Sequence, residues 1–168
     1  MPTRPRRYRR PSRTHAGPAW LRIRRARASD LGSLVRLLEQ LFALEADFTP
    51  DAHRQSAGLG AMLRDPRRRA VLLAERGGRV VGMVTAQLVV STAEGGPAAL
   101  VEDVVVDAPE RGRGAGRALL EAIAAWARAR GAERLQLLAD DGNTPALAFY
   151  ARLGWRRTRL VCLRRGGA

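Results

Sequence analysis

Apolar and polar positions along the first third of the chain follow strand and helix periods in turn. The stretch LRIRRA from residue 21 alternates between the two, which predicts an opening strand. A Ser-Asp pair at 29–30 offers an N-cap to an amphipathic helix over 31–48, whose apolar residues recur three and four positions apart. A second, weaker helix is expected over 51–63, because the proline of the following DPRRR stretch ends it.

The rest of the chain continues the alternation of strands and helices. Two β-rich runs joined by the glycines at 77–78 predict a hairpin, and residues 98–107, AALVEDVVVD, form the most β-prone segment. A glycine-rich stretch and a helix follow, and then a strand, a helix and a last strand at 158–165, in which Cys162 should pack as a small hydrophobe. This order predicts one α/β domain with a central sheet over 19–168 and no internal repeat.

Composition narrows the class of protein. The chain has 168 residues, of which 46% are hydrophobic and 27% charged, as expected for one soluble globular domain. No apolar run approaches the roughly 18 residues of a membrane span, so no membrane partner is expected. A single cysteine cannot form an internal disulfide, which favours a reducing, cytoplasmic location.

The net charge of +14 is unevenly distributed. Residues 1–18 contain six arginines and no acidic residue, so this like-charged, proline-punctuated extension is expected to be disordered. It is interpreted either as an extension without a role or as an arm for nucleic acid or a membrane surface. All 30 basic residues of the chain are arginine and none is lysine, which suggests codon choice in a GC-rich bacterial genome and weakens the nucleic-acid interpretation.

Three glycines, Gly112, Gly114 and Gly116, stand on alternate positions between the most β-prone strand and a helix with an apolar stripe. A strand, a glycine-rich turn and a helix start form an anion site, because the first N–H groups of a helix lack partners and its dipole is positive there. The neighbouring arginines at 111, 113 and 117 add positive charge or form an ordinary solvated face. A dinucleotide fingerprint needs G-x-G-x-x-G early in the chain and a Walker A loop needs a lysine, so neither fits.

Two motifs resemble the signatures of the GNAT superfamily of N-acetyltransferases. Arg111, Gly114 and Gly116 satisfy its pyrophosphate motif R/Q-x-x-G-x-G/A. The stretch NTPALAFYARLGW is similar to its second signature, with Trp155 in place of the usual phenylalanine. The order of elements agrees over residues 21–165. The resemblance implies a mixed, mostly antiparallel sheet of about six to seven strands, flanked by about four helices, with a splayed strand pair at the cofactor site.

The resemblance also implies acetyl-CoA as cosubstrate and an amine as acceptor. Backbone amides of the loop would hold the pyrophosphate, and free backbone groups on the splayed strand would bind the pantetheine arm; these positions are Arg111, Gly112, Arg113, Gly114, Ala115, Gly116 and Arg117, and Val104, Val105 and Val106. Asn143 would touch the cofactor arm or cap a helix. Phe149 would lie beside the cofactor or in the core.

Acetyl transfer to an amine needs a base and an acid. Glu102 matches the place of the family's carboxylate base. Asp103 is the reserve, because adjacent strand residues point to opposite faces and only one can face the cleft; it also stays open that neither acts. Tyr150 matches the family's general acid, or else is a buried aromatic residue. The two histidines, His15 and His53, have no clustered partners, so no metal is expected.

The acceptor is not identified by these patterns. Four acidic residues of the first two helices and their connection would attract a cationic amine or form an ordinary solvated surface; they are Glu39, Glu45, Asp47 and Asp51. A small molecule and a protein N-terminus both remain open as acceptors, and so does a homodimer. The alternative function is an acyl-CoA-binding or nucleic-acid-associated module that uses the basic N-terminal arm without catalysis.

Overall fold

Five strands form one mixed sheet in the computed structural model, which describes residues 20–44 and 48–166. The strands lie side by side in chain order, antiparallel except for the last pair, which is parallel. They are β1 (Leu21–Arg25), β2 (Arg69–Arg76), β3 (Arg79–Ser91), β4 (Gly96–Val106) and β5 (Arg134–Leu137). A parallel pair needs a crossover connection, which the third helix supplies.

Four α-helices of the described residues cover the sheet; they are α1 (Leu31–Phe42), α2 (Ala52–Leu63), α3 (Ala115–Arg128) and α4 (Thr144–Arg152). One core lies between the sheet and α3, and the other lies between the sheet and α1 and α2. We call these two sides of the sheet the α3 face and the α1/α2 face. Alternate residues of each strand serve opposite faces, as Leu72 packs on the α3 face and Leu73 on the α1/α2 face.

The close approach of α3 to the sheet depends on Gly82 in β3. A Cβ at this position would lie 2.9 Å from the carbonyl oxygen of Val105 and 3.3 Å from Cδ1 of Leu119. Glycine is therefore required at position 82 because a side chain would not fit, and not because the backbone adopts a positive φ. The fit holds α3 over the end of β4, where the glycine loop begins.

The helices follow the sequence prediction, with one shorter than expected. The side chain of Asp51 caps α2 by accepting a hydrogen bond from the N–H of Arg54, at 3.0 Å. α1 ends at Phe42, whereas its apolar pattern predicted a helix to Phe48. The two phenylalanine rings stack with centroids 5.2 Å apart, because the chain turns after α1 and brings the second ring back onto the first. None of the described helices is long and apolar enough to span a lipid bilayer.

The sheet has five strands among the described residues, fewer than the six to seven predicted. The predicted last strand is irregular: Leu160, Val161, Cys162 and Leu163 are exposed and pair with no strand. An alternating pattern yields a strand only where a neighbouring strand supplies hydrogen bonds and an apolar layer covers one face. The strand at this edge of the sheet, β5, has only four residues with which another strand could pair. The expected burial of Cys162 is therefore wrong. The proposed boundary after residue 18 lies outside the described residues.

Candidate active site

The loop between β4 and α3 turns through two glycines in the left-handed region. Gly112 has φ +73°, and Gly114, the N-cap of α3, has φ +87°, which residues with a Cβ adopt only at a cost. Nothing lies within 4 Å of a Cβ placed at either position, so the space in front of the loop is open. Across the described chain, the N–H groups of residues 112–117 donate to no backbone carbonyl. Unpaired donors at the positive end of a helix are able to bind an anion.

Gly116 has a different purpose from the other two glycines. A Cβ here would lie 3.0 Å from Cζ of Phe149, so the ring rests directly on the first turn of α3. The glycine makes room for this ring and not for a phosphate, which corrects the interpretation of the triplet as three phosphate-facing positions. Phe149 packs against the core on the α3 face, and Ala115 is buried beneath the same turn.

Two of the arginines that the motif singled out have different surroundings. Nε of Arg111 donates to the carbonyl oxygen of Val106 at 3.1 Å, which ties the loop to the last residue of β4. Arg117 is exposed, and its guanidinium lies 3.9 Å from the carboxylate of Glu121, itself exposed. A pair of this kind contributes little to stability. The Arg117 side chain is therefore available to a ligand, whereas Arg111 acts on the loop itself.

A buried carboxylate that the sequence analysis missed supports the loop. Glu110 is 6% exposed and lies 2.9 Å from Nε of Arg76, 3.2 Å from Arg79 and 3.1 Å from Arg113. Nη2 of Arg76 also donates to the carbonyl oxygen of Arg113 at 3.2 Å. The β2–β3 hairpin thus anchors the glycine loop through one acidic residue. The sequence gives little sign of this role, because it shows only an acidic residue before the glycines. Two of the three arginines around Glu110 lie 31 and 34 residues earlier in the chain.

The strand pair at the end of β4 is splayed, as predicted. β5 pairs with β4 from Ala98 to Val101, and β4 continues to Val106. Val105 and Val106 still pair with β3 on the other side. Within the described residues, the edge of β4 beyond Val101 therefore has no strand beside it. Its outward-facing backbone groups can bind an extended ligand as a strand would.

A bulge in β4 brings two acidic side chains to one face. Met83 pairs with Val105 but Thr85 pairs with Glu102, so β4 holds one residue more than β3 between these pairs. The bulge contains Asp103, whose φ of +48° is the one positive value among the described non-glycine residues. Bulges reorient side chains in this way, and they occur beside active sites.

Hydrogen bonds identify the face on which both carboxylates lie. Oγ1 of Thr85 donates to Oδ2 of Asp103 at 2.8 Å, and Nε2 of Gln87 donates to Oε2 of Glu102 at 3.3 Å. Thr85 and Gln87 are two residues apart on β3, so they point to the same side, the α1/α2 face. The prediction that only one of the two acids can face a given side is wrong, because the bulge breaks the alternation.

The environment of Asp103 raises its pKa. Burial raises the pKa of Asp103, the hydrogen bond from Thr85 lowers it, and the negative charge of Glu102 raises it further, with burial as the largest effect. The net result is a pKa above the ordinary value for an aspartate. Two adjacent carboxylates, one of them a stronger base than usual, can accept a proton from a bound amine.

The start of α4 is capped by Asn143. Its Oδ1 accepts a hydrogen bond from the N–H of Ala146 at 3.1 Å, so the capping alternative for this residue is the one observed. Tyr150, further along α4, is half-buried between two aromatic rings. Its ring centroid lies 5.4 Å from that of Phe149 and 6.2 Å from that of Trp155. These contacts fix the ring on the α3 face of the sheet.

A groove of about 620 Å³ lies between α3 and the residues that follow α4. Its lining includes three arginines, a glutamate and an indole; they are Arg117, Arg152, Arg156, Glu121 and Trp155. The first of these belongs to the glycine loop and its helix start. The groove therefore begins at the first turn of α3 and follows the outer side of this helix, with a lining of apolar and charged residues.

The acidic residues expected on the acceptor side have ordinary structural surroundings where they are described. Glu39 is exposed on α1, and Asp51 caps α2. Glu45, Asp47 and His15 lie outside the described residues. His53 is exposed, and the described residues contain no group of three histidine, cysteine or acidic side chains that could hold a metal ion.

Residues 34–155 match the family described as acetyltransferase (GNAT). The chain is 45% identical over 87 residues to mycothiol acetyltransferase of Thermobispora bispora, a match that covers 51% of this chain and 29% of that protein. The chain thus spans less than a third of that relative's length. It is 33% identical over 142 residues to glucosamine 6-phosphate N-acetyltransferase of Trypanosoma brucei brucei, covering 81% of this chain and 89% of that one.

A solved structure shares the fold. The crystal structure of an acetyltransferase of Trypanosoma brucei aligns with a TM-score of 0.67 at 28% identity, covering 86% of this chain and 99% of the other. The match covers most of this chain and nearly all of the other protein. The overall fold of this chain is therefore one that is known from a solved acetyltransferase structure.

Proposed function

Since the chain belongs to the acetyltransferase (GNAT) family, we propose that it transfers the acetyl group of acetyl-CoA to a primary amine. One observation carries the proposal. The unpaired N–H groups of residues 112–117 stand beside the unpaired edge of β4, and the bulge on the same strand presents Glu102 and Asp103. An anion site, a strand-like edge and two carboxylates are the parts that binding a CoA thioester and activating an amine require.

The cofactor is held by backbone groups more than by side chains. The N–H groups from Gly112 to Arg117 bind the pyrophosphate, and the edge from Val104 to Val106 binds the amides of the pantetheine arm. The adenosine part then lies toward the groove outside α3, where the arginines at 117, 152 and 156 face its phosphate. Arg111 and Glu110 act as positioning residues, because Arg111 ties the loop to Val106 and the buried Glu110 ties it to the β2–β3 hairpin.

The amine loses a proton to a carboxylate of β4 as it attacks. Its nitrogen lone pair forms a bond to the thioester carbonyl carbon, and the carbonyl electron pair moves to oxygen. Glu102 takes the proton, with Asp103 beside it as the alternative base. A pair of charge-neutral variants, Glu102→Gln and Asp103→Asn, identifies the base, because only the loss of the true base removes the rise in rate with pH.

Collapse of the tetrahedral intermediate breaks the carbon–sulfur bond, and the CoA thiolate leaves with the electron pair. The hydroxyl of Tyr150 donates a proton to this sulfur. A backbone N–H on β4 stabilises the oxyanion before collapse. The products are an N-acetylated acceptor and CoA with a free thiol, so atoms and charge balance without an added reactant.

The proposal is tested with Tyr150→Phe and with a variant that blocks the cofactor. Tyr150→Phe is expected to lower kcat at least about tenfold and to leave the Kd for acetyl-CoA within about twofold, because the phenol acts only on the leaving group. Gly114→Glu places a carboxylate in the anion site and should abolish acetyl-CoA binding. Unchanged turnover by Tyr150→Phe at every pH would refute the acid assignment.

For the acceptor, we propose classes of amine and not a single molecule. The relatives named above carry names that refer to mycothiol and to glucosamine 6-phosphate, so small amines on sugars come first among the acceptors to test. A protein N-terminus is the second class. Failure of all amines, with acetyl-CoA still bound, would favour the binding-module alternative and direct attention to residues 1–18.

A further inference from the structure

A second cavity lies next to Gln87, the residue that donates a hydrogen bond to the proposed base Glu102. It has a volume of about 230 Å³ and lies between the turn after α2 and the end of β3. Its lining residues are Asp65, Arg68, Arg69, Gln87 and Leu88. We call it the turn pocket. Gln87 connects it to the active site, because the same amide that lines the pocket donates to the carboxylate of Glu102 at 3.3 Å.

The charge of the turn pocket is positive. Asp65 is engaged with its own turn, since Oδ1 accepts from the N–H of Arg68 at 3.2 Å and its carbonyl oxygen accepts from the N–H of Arg69 at 2.9 Å. Nη1 of Arg69 donates to the carbonyl oxygen of Ala61 at 2.9 Å. Among the described residues, no carboxylate forms an ion pair with either arginine of the pocket. Two guanidinium groups therefore face one carboxylate that already has a structural partner.

The turn itself is held in place by two further arginines. Nη2 of Arg25 donates to the carbonyl oxygens of Pro66 and Arg69, at 3.2 Å and 2.9 Å. Nε of Arg130 donates to the carbonyl oxygen of Arg67 at 2.9 Å. Neither cation has a carboxylate partner in the described part of the chain, so both add positive potential behind the turn. Burial and then the charge of Arg130 lower the pKa of Arg25, as expected where cations crowd.

The separation of the turn pocket and Glu102 suits a small acceptor. Arg69 pairs with Gln87, and Thr85, two residues along β3, pairs with Glu102. Strand geometry then puts the Cα atoms of Arg69 and Glu102 on the order of 12 Å apart, two strands across and two residues along. A molecule the size of an amino sugar bearing one anionic group spans this distance.

We propose that the turn pocket binds an oxyanion of the acceptor, a phosphate or a carboxylate, while the acceptor's amine lies beside Glu102. The inference rests on the proposed function and narrows its substrate class to amines that carry an anionic group. Arg68 and Arg69 supply the donors, and planar guanidinium groups match both oxyanions in charge and geometry. Gln87 contacts both ends of the acceptor site, because it lines the turn pocket and donates to Glu102.

Acetyl transfer to matched acceptors tests the inference. Glucosamine 6-phosphate, glucosamine and the corresponding uronic acid amine share a ring and an amine and differ in the anionic group. The 6-phosphate or the uronic acid is expected to show a KM at least about tenfold below that of glucosamine, and the better of the two identifies the oxyanion. Arg68→Gln should raise that KM at least about fivefold and leave the KM for glucosamine within about twofold. Equal KM values for the three acceptors would overturn the inference.

Arg67→Gln is the matched control, because it removes the same charge from the same turn without lining the pocket. A binding measurement separates the two proposals. With CoA saturating the glycine loop, glucose 6-phosphate and glucuronate, which have no amine, are titrated into the wild type, Arg68→Gln and Arg67→Gln. The pocket is supported if glucose 6-phosphate or glucuronate binds to the wild type and to Arg67→Gln but binds more weakly to Arg68→Gln. This result would hold even if no amine is acetylated and the proposed function fails. Acetylation of amines with no anion binding sensitive to Arg68 would overturn the pocket and leave the proposed function standing.

Discussion

Glu110 is predicted to contribute more to stability than any exposed acid of the chain. Its side chain is 8% exposed and that of Arg76, 2.9 Å away, is 17% exposed, so both charges of this pair are largely removed from water. Arg79 and Arg113 are each 55% exposed and can be rehydrated when the carboxylate is lost. The cost of Glu110→Gln therefore comes mainly from the buried charge left on Arg76.

Breaking a buried ion pair from one side costs about 3–5 kcal/mol, and exposed pairs contribute about 0–1 kcal/mol. Because Gln keeps the volume and some hydrogen bonding, we expect Glu110→Gln to lower the free energy of unfolding by about 3 kcal/mol. For a domain of this size the shift in Tm is about 6–12 °C. The affinity for acetyl-CoA should also fall, since Arg76 and Glu110 together hold Arg113 in the glycine loop.

Urea unfolding at neutral pH measures the effect, with Glu121→Gln as the matched control. Glu121 is 68% exposed and lies 3.9 Å from Arg117, so its loss should change stability by less than about 0.5 kcal/mol. Equal stability of the two variants, within error, would refute the role given to the buried carboxylate. A stability loss without any change in acetyl-CoA affinity would refute only its role in holding the loop.

Three further changes test other parts of the structure. Gly82→Ala would place a Cβ 2.9 Å from the carbonyl oxygen of Val105, and a loss of about 1–3 kcal/mol is expected in urea unfolding. Gly114→Ala must adopt φ +87°, so about 1–2 kcal/mol of strain and weaker acetyl-CoA binding in calorimetry are expected. Because the pKa of Asp103 is raised mainly by burial, the folded protein binds this proton more tightly than the unfolded chain, and ionisation costs stability as pH rises above about 4. Asp103→Asn should therefore gain Tm relative to the wild type as the pH rises from about 4 through the raised pKa of Asp103, and a constant difference would contradict the shift.

The sequence was sufficient for those parts of the fold whose signals are local. The Gly-rich loop before an apolar helical stripe predicted the turn into α3 that Gly112 and Gly114 form, and the N-cap residues Asp51 and Asn143 begin helices where expected. The family resemblance drawn from the two motifs is confirmed by the match over residues 34–155.

Features that depend on pairing between distant segments could not be predicted in this way. The bulge that turns Asp103 to the side of Glu102 is a mismatch in register between β3 and β4, and each strand alone has an ordinary pattern. Two of the three arginines around Glu110 come from the β2–β3 hairpin, and the ring that requires Gly116 comes from α4. The prediction of the last strand is wrong for the same reason. An alternating pattern shows that a segment can present one apolar face, but not that another strand lies beside it to pair with.

The most direct test of the central claim is the release of CoA thiol from acetyl-CoA with a panel of amines, followed by mass spectrometry of the acceptor. Amino sugars, aminoglycosides, amino acids, polyamines and N-terminal peptides make up the panel, and Gly114→Glu is the control. We predict thiol release matched mole for mole by an acetylated amine, with the phosphorylated or carboxylated amines ahead of their neutral counterparts and no activity in the control. Thiol release without an acetylated amine, or none with any acceptor while acetyl-CoA remains bound, would contradict the account.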